Sequence, residues 1–128
     1  MPAPFADQLA QFGRALQRLR EAIAAPETDM TRDSAIQRFE FTLDLAWKTV
    51  QVFIRDRKGI RCASPKDCFR IAGELDIVAD SADWDGWVDL RNSTVHTYNE
   101  QFARHVYAQL PDAIRHFSEL QDRLQQQR

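Results

Sequence analysis

Apolar residues recur along the first sixty positions with the spacing of α-helices. Near the N-terminus the intervals alternate between four and three residues, which places these side chains on one face of a helix that Pro26 ends. A second helix is predicted to begin near Asp29 or Thr31 and to stop at Gly59, a residue suited to a left-handed C-terminal cap. The apolar stripe of the first helix consists of Phe5, Leu9, Phe12, Leu16, Leu19 and Ile23. The middle of the second helix is very apolar and aromatic, so we expect this helix to be the most buried.

Three further helices follow in the second half of the chain. Ser64 can cap a short third helix that has Pro65 at its first position and extends to about Leu75. An acidic, turn-like stretch, 76–85, separates it from a fourth helix, which runs from about Asp83 towards His96.

Asn99 can cap a fifth helix with its own apolar stripe. Pro111 lies inside this helix and is expected to bend or split it. The polar tail from Gln125 is expected to fray. Strand-like alternation, repeats and linkers are absent from the sequence, which predicts one all-α domain over residues 1–128, an up-and-down bundle of four to five helices.

Composition and charge narrow the functional class. The chain has 128 residues, a formal net charge of −2, and only 4 Gly and 5 Pro, which disfavours an all-β fold. Proteins that coat nucleic acids are usually basic, so any RNA contact is expected to be local. The sequence lacks a signal peptide and an apolar run of 18 residues, which predicts a cytoplasmic protein without a membrane span.

The two cysteines, Cys62 and Cys68, do not form a C-x-x-C pair and have no nearby histidine to complete a zinc site. We therefore expect two reduced, structural thiols, and neither a metal nor a cofactor.

Charged residues are unevenly distributed between the second and fourth helices. A basic cluster is followed by an acidic run. Two solvated surfaces are the favoured interpretation, and the alternative is a basic rim for RNA phosphates beside an acidic face for a partner protein. The basic cluster is Arg55, Arg57, Lys58, Arg61, Lys66 and Arg70, and the acidic run is Glu74, Asp76, Asp80, Asp83, Asp85 and Asp89.

Four residues near the end of the fourth helix can support phosphodiester chemistry: Arg91, Asn92, His96 and Tyr98. His96 can act as general base on a ribose 2′-hydroxyl or as general acid on the leaving oxygen. Arg91 can stabilise charge on the phosphoryl oxygens, Asn92 can orient His96 or bind a phosphate, and Tyr98 can donate a hydrogen bond or stack on a base. The product of such a reaction is a 2′,3′-cyclic phosphate.

Helix geometry complicates this interpretation. Arg91 and His96 are five residues apart, so on an unbroken helix their side chains diverge by about 140°. The arginine can reach around, the helix can end near His96, or a second subunit can supply the missing group. The purely structural alternative pairs Arg91 with Asp89 or Glu100 and lets His96 cap helix carbonyls.

Other candidate groups have simpler explanations. Glu40 and Asp44, at i and i+4 of the second helix, could bind metal or perform acid–base chemistry, but an ion pair with Lys48 or with an arginine of another helix is favoured. The tryptophans could form a nucleotide-stacking wall. We instead expect Trp47 in the core and Trp84 and Trp87 at a dimer face. His105 and His116 are expected at the surface.

The motif Arg91-Asn92-x-x-x-His96-x-Tyr98 resembles the signature of the HEPN superfamily. The segment Phe39-Glu40-Phe41-Thr42-Leu43-Asp44-Leu45-Ala46-Trp47-Lys48, about fifty residues earlier, resembles the hallmark of its HepT-like, nucleotidyltransferase substrate-binding branch.

The resemblance implies a homodimer in which the Arg and His motifs of both subunits line one cleft. It implies a metal-independent endoribonuclease toxin that acts on RNA such as tRNA or mRNA. It further implies silencing by a cognate minimal nucleotidyltransferase antitoxin that transfers AMP to Tyr98. Two alternatives stay open: a non-catalytic substrate- or nucleotide-binding subunit of a two-component nucleotidyltransferase, and a bundle that only assembles with its partner.

Overall fold

The structure, a computed structural model, describes residues 4–96 and 99–127. Within them the chain forms α-helices and one short 3₁₀ turn at Asp80–Ala82, with no strand, so the predicted all-α class is confirmed. The helices are α1 (Phe5–Ala24), α2 (Asp29–Lys58), α3 (Pro65–Glu74), α4 (Trp84–His96) and α5 (Glu100–Gln125).

Local hydrogen bonds explain why the helices begin and end where the sequence predicts. At the start of α2, the Thr28 hydroxyl accepts from the Thr31 backbone N–H at 3.1 Å, and the Thr31 hydroxyl accepts from the Thr28 N–H at 2.7 Å. The side chains of Ser64 and Asn99 cap α3 and α5. Gly59 ends α2 with a φ of 67°, a conformation that glycine adopts without steric cost.

Pro111 does not split α5, which is one helix from Glu100 to Gln125. That part of the expectation is wrong. A proline removes the hydrogen bond to the carbonyl four residues earlier, here that of Tyr107. Pro111 is exposed and Tyr107 is only half-buried, so water can reach this side of the helix and replace the lost donor. A bend in α5 stays a prediction.

Contacts between helices show an up-and-down bundle. The start of α1 meets the end of α2, where the rings of Phe5 and Phe53 lie 5.5 Å apart, so α1 and α2 are antiparallel. Helix α4 crosses α2 in the opposite direction, since Arg91 bonds to Asp44 and the later Thr94 bonds to the earlier Glu40. Helix α5 packs on both α1 and α2.

Aromatic side chains fill the centre of the bundle. Phe117 of α5 lies 6.1 Å from both Phe12 of α1 and Phe39 of α2, measured between ring centroids. Trp84 is buried and stacks on Phe69 of α3 at 4.5 Å. The expectation that Trp84 lies at a dimer face is therefore wrong: α3 covers the start of α4, and Trp84 fills the space between them. Trp47 packs at the edge of the core, half-buried.

The prediction of reduced thiols is also wrong, because Cys62 and Cys68 form a disulfide. Cys62 lies just before the Ser64 cap and Cys68 lies in the first turn of α3, so the chain reversal brings their Cα atoms to 5.1 Å. This separation suits a disulfide. A search for C-x-x-C spacing misses this pair, since the bond joins a loop to the helix that follows it.

Candidate functional site

The centre of the candidate site is an ion pair between α4 and α2. Arg91 donates from Nε to Oδ1 of Asp44 and from Nη2 to Oδ2, both at 3.0 Å. The side chains of Arg91 and Asp44 are 22% and 34% exposed, so the pair is partly open to solvent. The pKa of Arg91 is raised above its ordinary value, chiefly by the hydrogen bond with Asp44, while burial acts in the opposite direction.

This pairing shows which ion-pair partners Asp44 and Arg91 have, a question for which the sequence left several alternatives. The i and i+4 carboxylate Asp44 pairs with an arginine of another helix, as favoured. The partners that the purely structural alternative gave to Arg91 are wrong: Asp89 pairs with Lys66 at 2.7 Å, and Glu100 pairs with Arg104 at 2.7 Å. Asp44 holds the Nε and Nη2 edge of the guanidinium. Nη1 makes no hydrogen bond or ion pair with another described residue, so its two N–H groups are available to an anion.

A second contact, which the sequence analysis missed, holds the same two helices together one turn away. The Thr94 hydroxyl lies 2.6 Å from Oε1 of Glu40 and 2.7 Å from the Arg91 carbonyl oxygen. Glu40 and Asp44 are one turn apart on α2, and Arg91 and Thr94 are nearly one turn apart on α4. The sequence does show that the polar residues of the two helices have a similar spacing. It does not show that these faces of α2 and α4 pack against each other.

His96 is the last residue of α4, and its side chain is exposed. Helix α4 is unbroken from Arg91 to His96, so the angle of about 140° between these positions persists. Because Asp44 holds Arg91 against α2, the arginine does not reach around to His96 in one chain. Asn92 is exposed and shares a face with His96 at the i and i+4 spacing. Tyr98, the fourth predicted site residue, lies outside the described residues.

A groove of about 240 Å³ lies beside this site, between α2, α4 and α5. Glu40 and Thr94 form part of one wall, and Phe102 and Val106 of α5 form part of another. Asn99, the cap of α5, is at the groove and three residues after His96, so the groove reaches the chain segment that carries the motif.

Three of the six residues of the predicted basic cluster form ion pairs in the folded chain. Lys66 pairs with Asp89, Arg70 pairs with Asp67 at 2.6 Å and with Glu74 at 2.9 Å, and Arg55 pairs with Asp56 at 2.8 Å. Helix α3 places the end of the basic cluster beside the acidic run. These paired residues form one surface of mixed charge. The other three basic residues of the cluster, Arg57, Lys58 and Arg61, form no ion pair with a described residue.

The remaining histidines differ from each other. His105 is exposed, as expected. The surface prediction for His116 is wrong, because His116 is half-buried and its Nδ1 lies 3.0 Å from the indole N–H of Trp87. That N–H also lies 3.0 Å from the Ala82 carbonyl oxygen. Trp87 and His116 therefore serve packing between α4 and α5.

Metal sites and membrane spans are both absent from the described part of the chain. No cluster of three or more His, Cys, Asp or Glu side chains among residues 4–96 and 99–127 is arranged to hold a metal ion. None of the helices described combines the length and apolarity that crossing a membrane requires.

Comparison with known proteins identifies a family and a relative with related descriptions. The family described as nucleotidyltransferase substrate binding protein like matches residues 7–126. A Haemophilus influenzae protein named probable ribonuclease HepT is 33% identical over 96 residues, which are 72% of this chain. The match covers 66% of that relative, slightly less than two thirds of its length.

Two solved structures share the fold over nearly their whole length. A crystal structure of a Thermus thermophilus protein has a TM-score of 0.83 and 39% identity, covering 88% of this chain and 98% of the other. A second structure, from Haemophilus influenzae, has a TM-score of 0.81 and 27% identity, covering 91% and 98%. It is described as revealing the fold of a substrate-binding domain of a nucleotidyltransferase.

Proposed function

The chain belongs to the nucleotidyltransferase substrate-binding protein family and is HepT-like, and from this premise we propose that it is a metal-independent endoribonuclease toxin. The observation that carries the proposal is the state of Arg91. Asp44 holds one edge of its guanidinium and leaves Nη1 available, at a site that is partly open to solvent. A phosphate can bind to such an arginine without dismantling the ion pair.

The proposed reaction needs His96 and Arg91 in one cleft. His96 takes the proton from a ribose 2′-hydroxyl, the 2′-oxygen bonds to phosphorus, and the bond from phosphorus to the 5′-oxygen breaks. The leaving oxygen is protonated by a second acid, and the product carries a 2′,3′-cyclic phosphate. Arg91 stabilises the negative charge on the phosphoryl oxygens, while general acid–base catalysis contributes about 10²–10⁴-fold. Asn92, on the face of His96, orients the imidazole or binds phosphate.

A homodimer supplies the arrangement that one chain lacks. In a single chain α4 directs Arg91 towards α2, whereas His96 lies at the exposed end of the helix. Two copies that pair across their α4 ends would bring the histidine of each towards the arginine of the other. Helix α4 does end at His96, as one of the other routes requires, but Asp44 holds Arg91 on α2, so a second subunit is the route that we favour.

Regulation by a partner completes the proposal. The cognate partner is a minimal nucleotidyltransferase antitoxin, which adenylylates Tyr98 in the cytoplasm. Tyr98 is two residues after His96, so an added AMP brings negative charge and bulk close to the imidazole and excludes RNA. The family assignment and the name of the Haemophilus relative, probable ribonuclease HepT, support this proposal.

A second candidate function is a non-catalytic subunit that binds a nucleotide or polynucleotide substrate for a separate nucleotidyltransferase. The description of the second Haemophilus structure, a substrate-binding domain of a nucleotidyltransferase, favours it. In that case Arg91 and His96 are ligands for phosphate, with no bond broken.

Incubation with RNA distinguishes these candidates. The purified chain, without partner, is incubated with tRNA and with single-stranded RNA in EDTA. Cleavage that leaves 2′,3′-cyclic ends and disappears in His96→Ala supports the nuclease. His105→Ala is the matched control, since His105 is also an exposed helical histidine, and it is expected to retain full activity. RNA binding without cleavage, weakened equally in Arg91→Ala and His96→Ala, supports the binding subunit instead.

A further inference from the structure

A groove between α1 and α2 combines exposed arginines with an exposed aromatic ring. It has a volume of about 370 Å³, and its lining includes Arg14 and Arg18 of α1 and Arg38, Phe41 and Leu45 of α2. Phe41 is 54% exposed, which makes it one of the most exposed large apolar side chains described. None of the residues lining the groove is acidic.

The arginines of this groove differ from Arg55 and Arg70 of the basic cluster, which are held in ion pairs. Arg14 and Arg18 are exposed and form no ion pair with any described residue. They lie at i and i+4 on α1, where like charges repel. Arg38 adds a third guanidinium and donates to the Arg18 carbonyl oxygen at 2.7 Å. An anion bound between them would relieve this repulsion, so the groove has the electrostatics of an anion site.

The groove also lies close to Arg91 across α2. Phe41 precedes Asp44 by three residues and Leu45 follows it by one, so the Arg91–Asp44 pair and the groove lie on opposite edges of the same exposed helix face. Phe41 and Asp44 are at i and i+3 on α2, a spacing that places Cβ atoms about 5–6 Å apart. A single strand of a few nucleotides can cross this face and contact both.

On these observations we propose that the groove of Arg14, Arg18, Arg38 and Phe41 is a second RNA-binding site that holds single-stranded substrate beside the Arg91 site. The arginines bind backbone phosphates and the ring of Phe41 stacks on a base. The inference rests on the proposed function for its substrate, RNA. Since the chain has a net charge of −2, affinity for RNA must come from a local basic surface of this kind rather than from general attraction.

The test measures binding separately from cleavage. A fluorescent single-stranded 2′-O-methyl RNA lacks the free 2′-hydroxyl and is not cut, so anisotropy with the full chain reports affinity alone. Arg14→Glu and Arg18→Glu are each expected to weaken binding about tenfold or more. Loss of one phosphate contact should also reduce the slope of log K against log salt by about 0.7. Arg61→Glu is the matched control, because Arg61 is an exposed arginine in the loop between α2 and α3.

The aromatic contact has its own pair of variants. Phe41→Tyr keeps a stacking ring and is expected to bind as wild type does, whereas Phe41→Leu keeps apolar area without a ring and is expected to bind at least about fivefold more weakly. All these positions are on the surface. Circular dichroism is the check that each variant is folded.

Several outcomes overturn the proposal. Equal weakening by Arg61→Glu would show general electrostatics, and unchanged RNA affinity in the groove variants would remove the site. If those variants bind RNA normally but lose the nucleotidyltransferase partner, the groove is a protein interface. Cleavage by wild type with no effect of the groove variants on binding rejects this inference alone. Binding through the groove by a chain that never cleaves RNA rejects the nuclease proposal and leaves the groove as an RNA site.

Discussion

Arg91 and Asp44 are 47 residues apart in the chain, yet they form a two-point ion pair with both N–O distances at 3.0 Å. The pair fixes the plane of the guanidinium and joins α4 to α2. Asp44 therefore acts as a positioning residue for Arg91 in the proposed reaction, through geometry rather than through contact with RNA.

Asp44→Asn is expected to lower kcat for RNA cleavage about tenfold or more, since the neutral amide can no longer hold both nitrogens of Arg91. Because both side chains keep contact with solvent, the cost in free energy of unfolding is expected to be only ~1 kcal/mol. Time courses of RNA cleavage measure the change in kcat, and urea unfolding measures the change in free energy of unfolding.

Asp56→Asn provides the comparison, since Asp56 pairs with Arg55 and lies roughly 18 Å from Asp44 along the axis of α2. Its cleavage rate should not change. An Asp44→Asn protein that cleaves RNA at the wild-type rate would show that Arg91 needs no positioning by α2.

Thr94→Val is expected to destabilise the α2–α4 contact, because the Glu40 carboxylate loses the hydroxyl that lies 2.6 Å away. Water can partly replace that donor, so the expected loss in free energy of unfolding is roughly 1 kcal/mol. Thr94→Ser keeps the hydroxyl and should recover most of the stability. Thermal unfolding compares the two variants, and equal melting temperatures would mean that this hydrogen bond contributes nothing measurable.

Mixed dimers test whether the site is shared between subunits. Arg91→Ala and His96→Ala homodimers are each expected to be inactive. When the two variants are co-expressed with different tags and purified as a mixed dimer, one cleft position combines an intact Arg91 with an intact His96 from the other chain. Activity is then expected to return, to at most about half that of wild type. If a mixed dimer that is shown to contain both chains is inactive, the Arg91 and His96 that act together belong to the same chain.

Reduction of the disulfide between Cys62 and Cys68 is expected to lower thermal stability, because the bond restricts the unfolded chain and joins the loop after α2 to α3. The effect is expected to be about 2–3 kcal/mol for a short loop. Melting curves with and without dithiothreitol measure it, and mass spectrometry after alkylation counts the thiols. A Cys62→Ala, Cys68→Ala double variant is the control and should be insensitive to the reductant.

The sequence by itself determined the helices and the class of the fold. The intervals of four and three residues, the caps at Ser64 and Asn99, and the left-handed glycine at Gly59 depend on neighbours within a few residues. Such short-range determinants are readable along the chain. The motif around Arg91 and His96 also pointed to the family that the comparisons show.

The tertiary structure alone decided the partners of the motif residues. The structural alternative from the sequence paired Arg91 with nearby carboxylates, but the antiparallel crossing of α4 on α2 brings it to Asp44. The same crossing joins Thr94 to Glu40, 54 residues away. Burial of Trp84 against Phe69 and closure of the disulfide follow from where α3 packs. These contacts join residues that are distant in the sequence. Local sequence patterns do not specify which helix faces pack against each other.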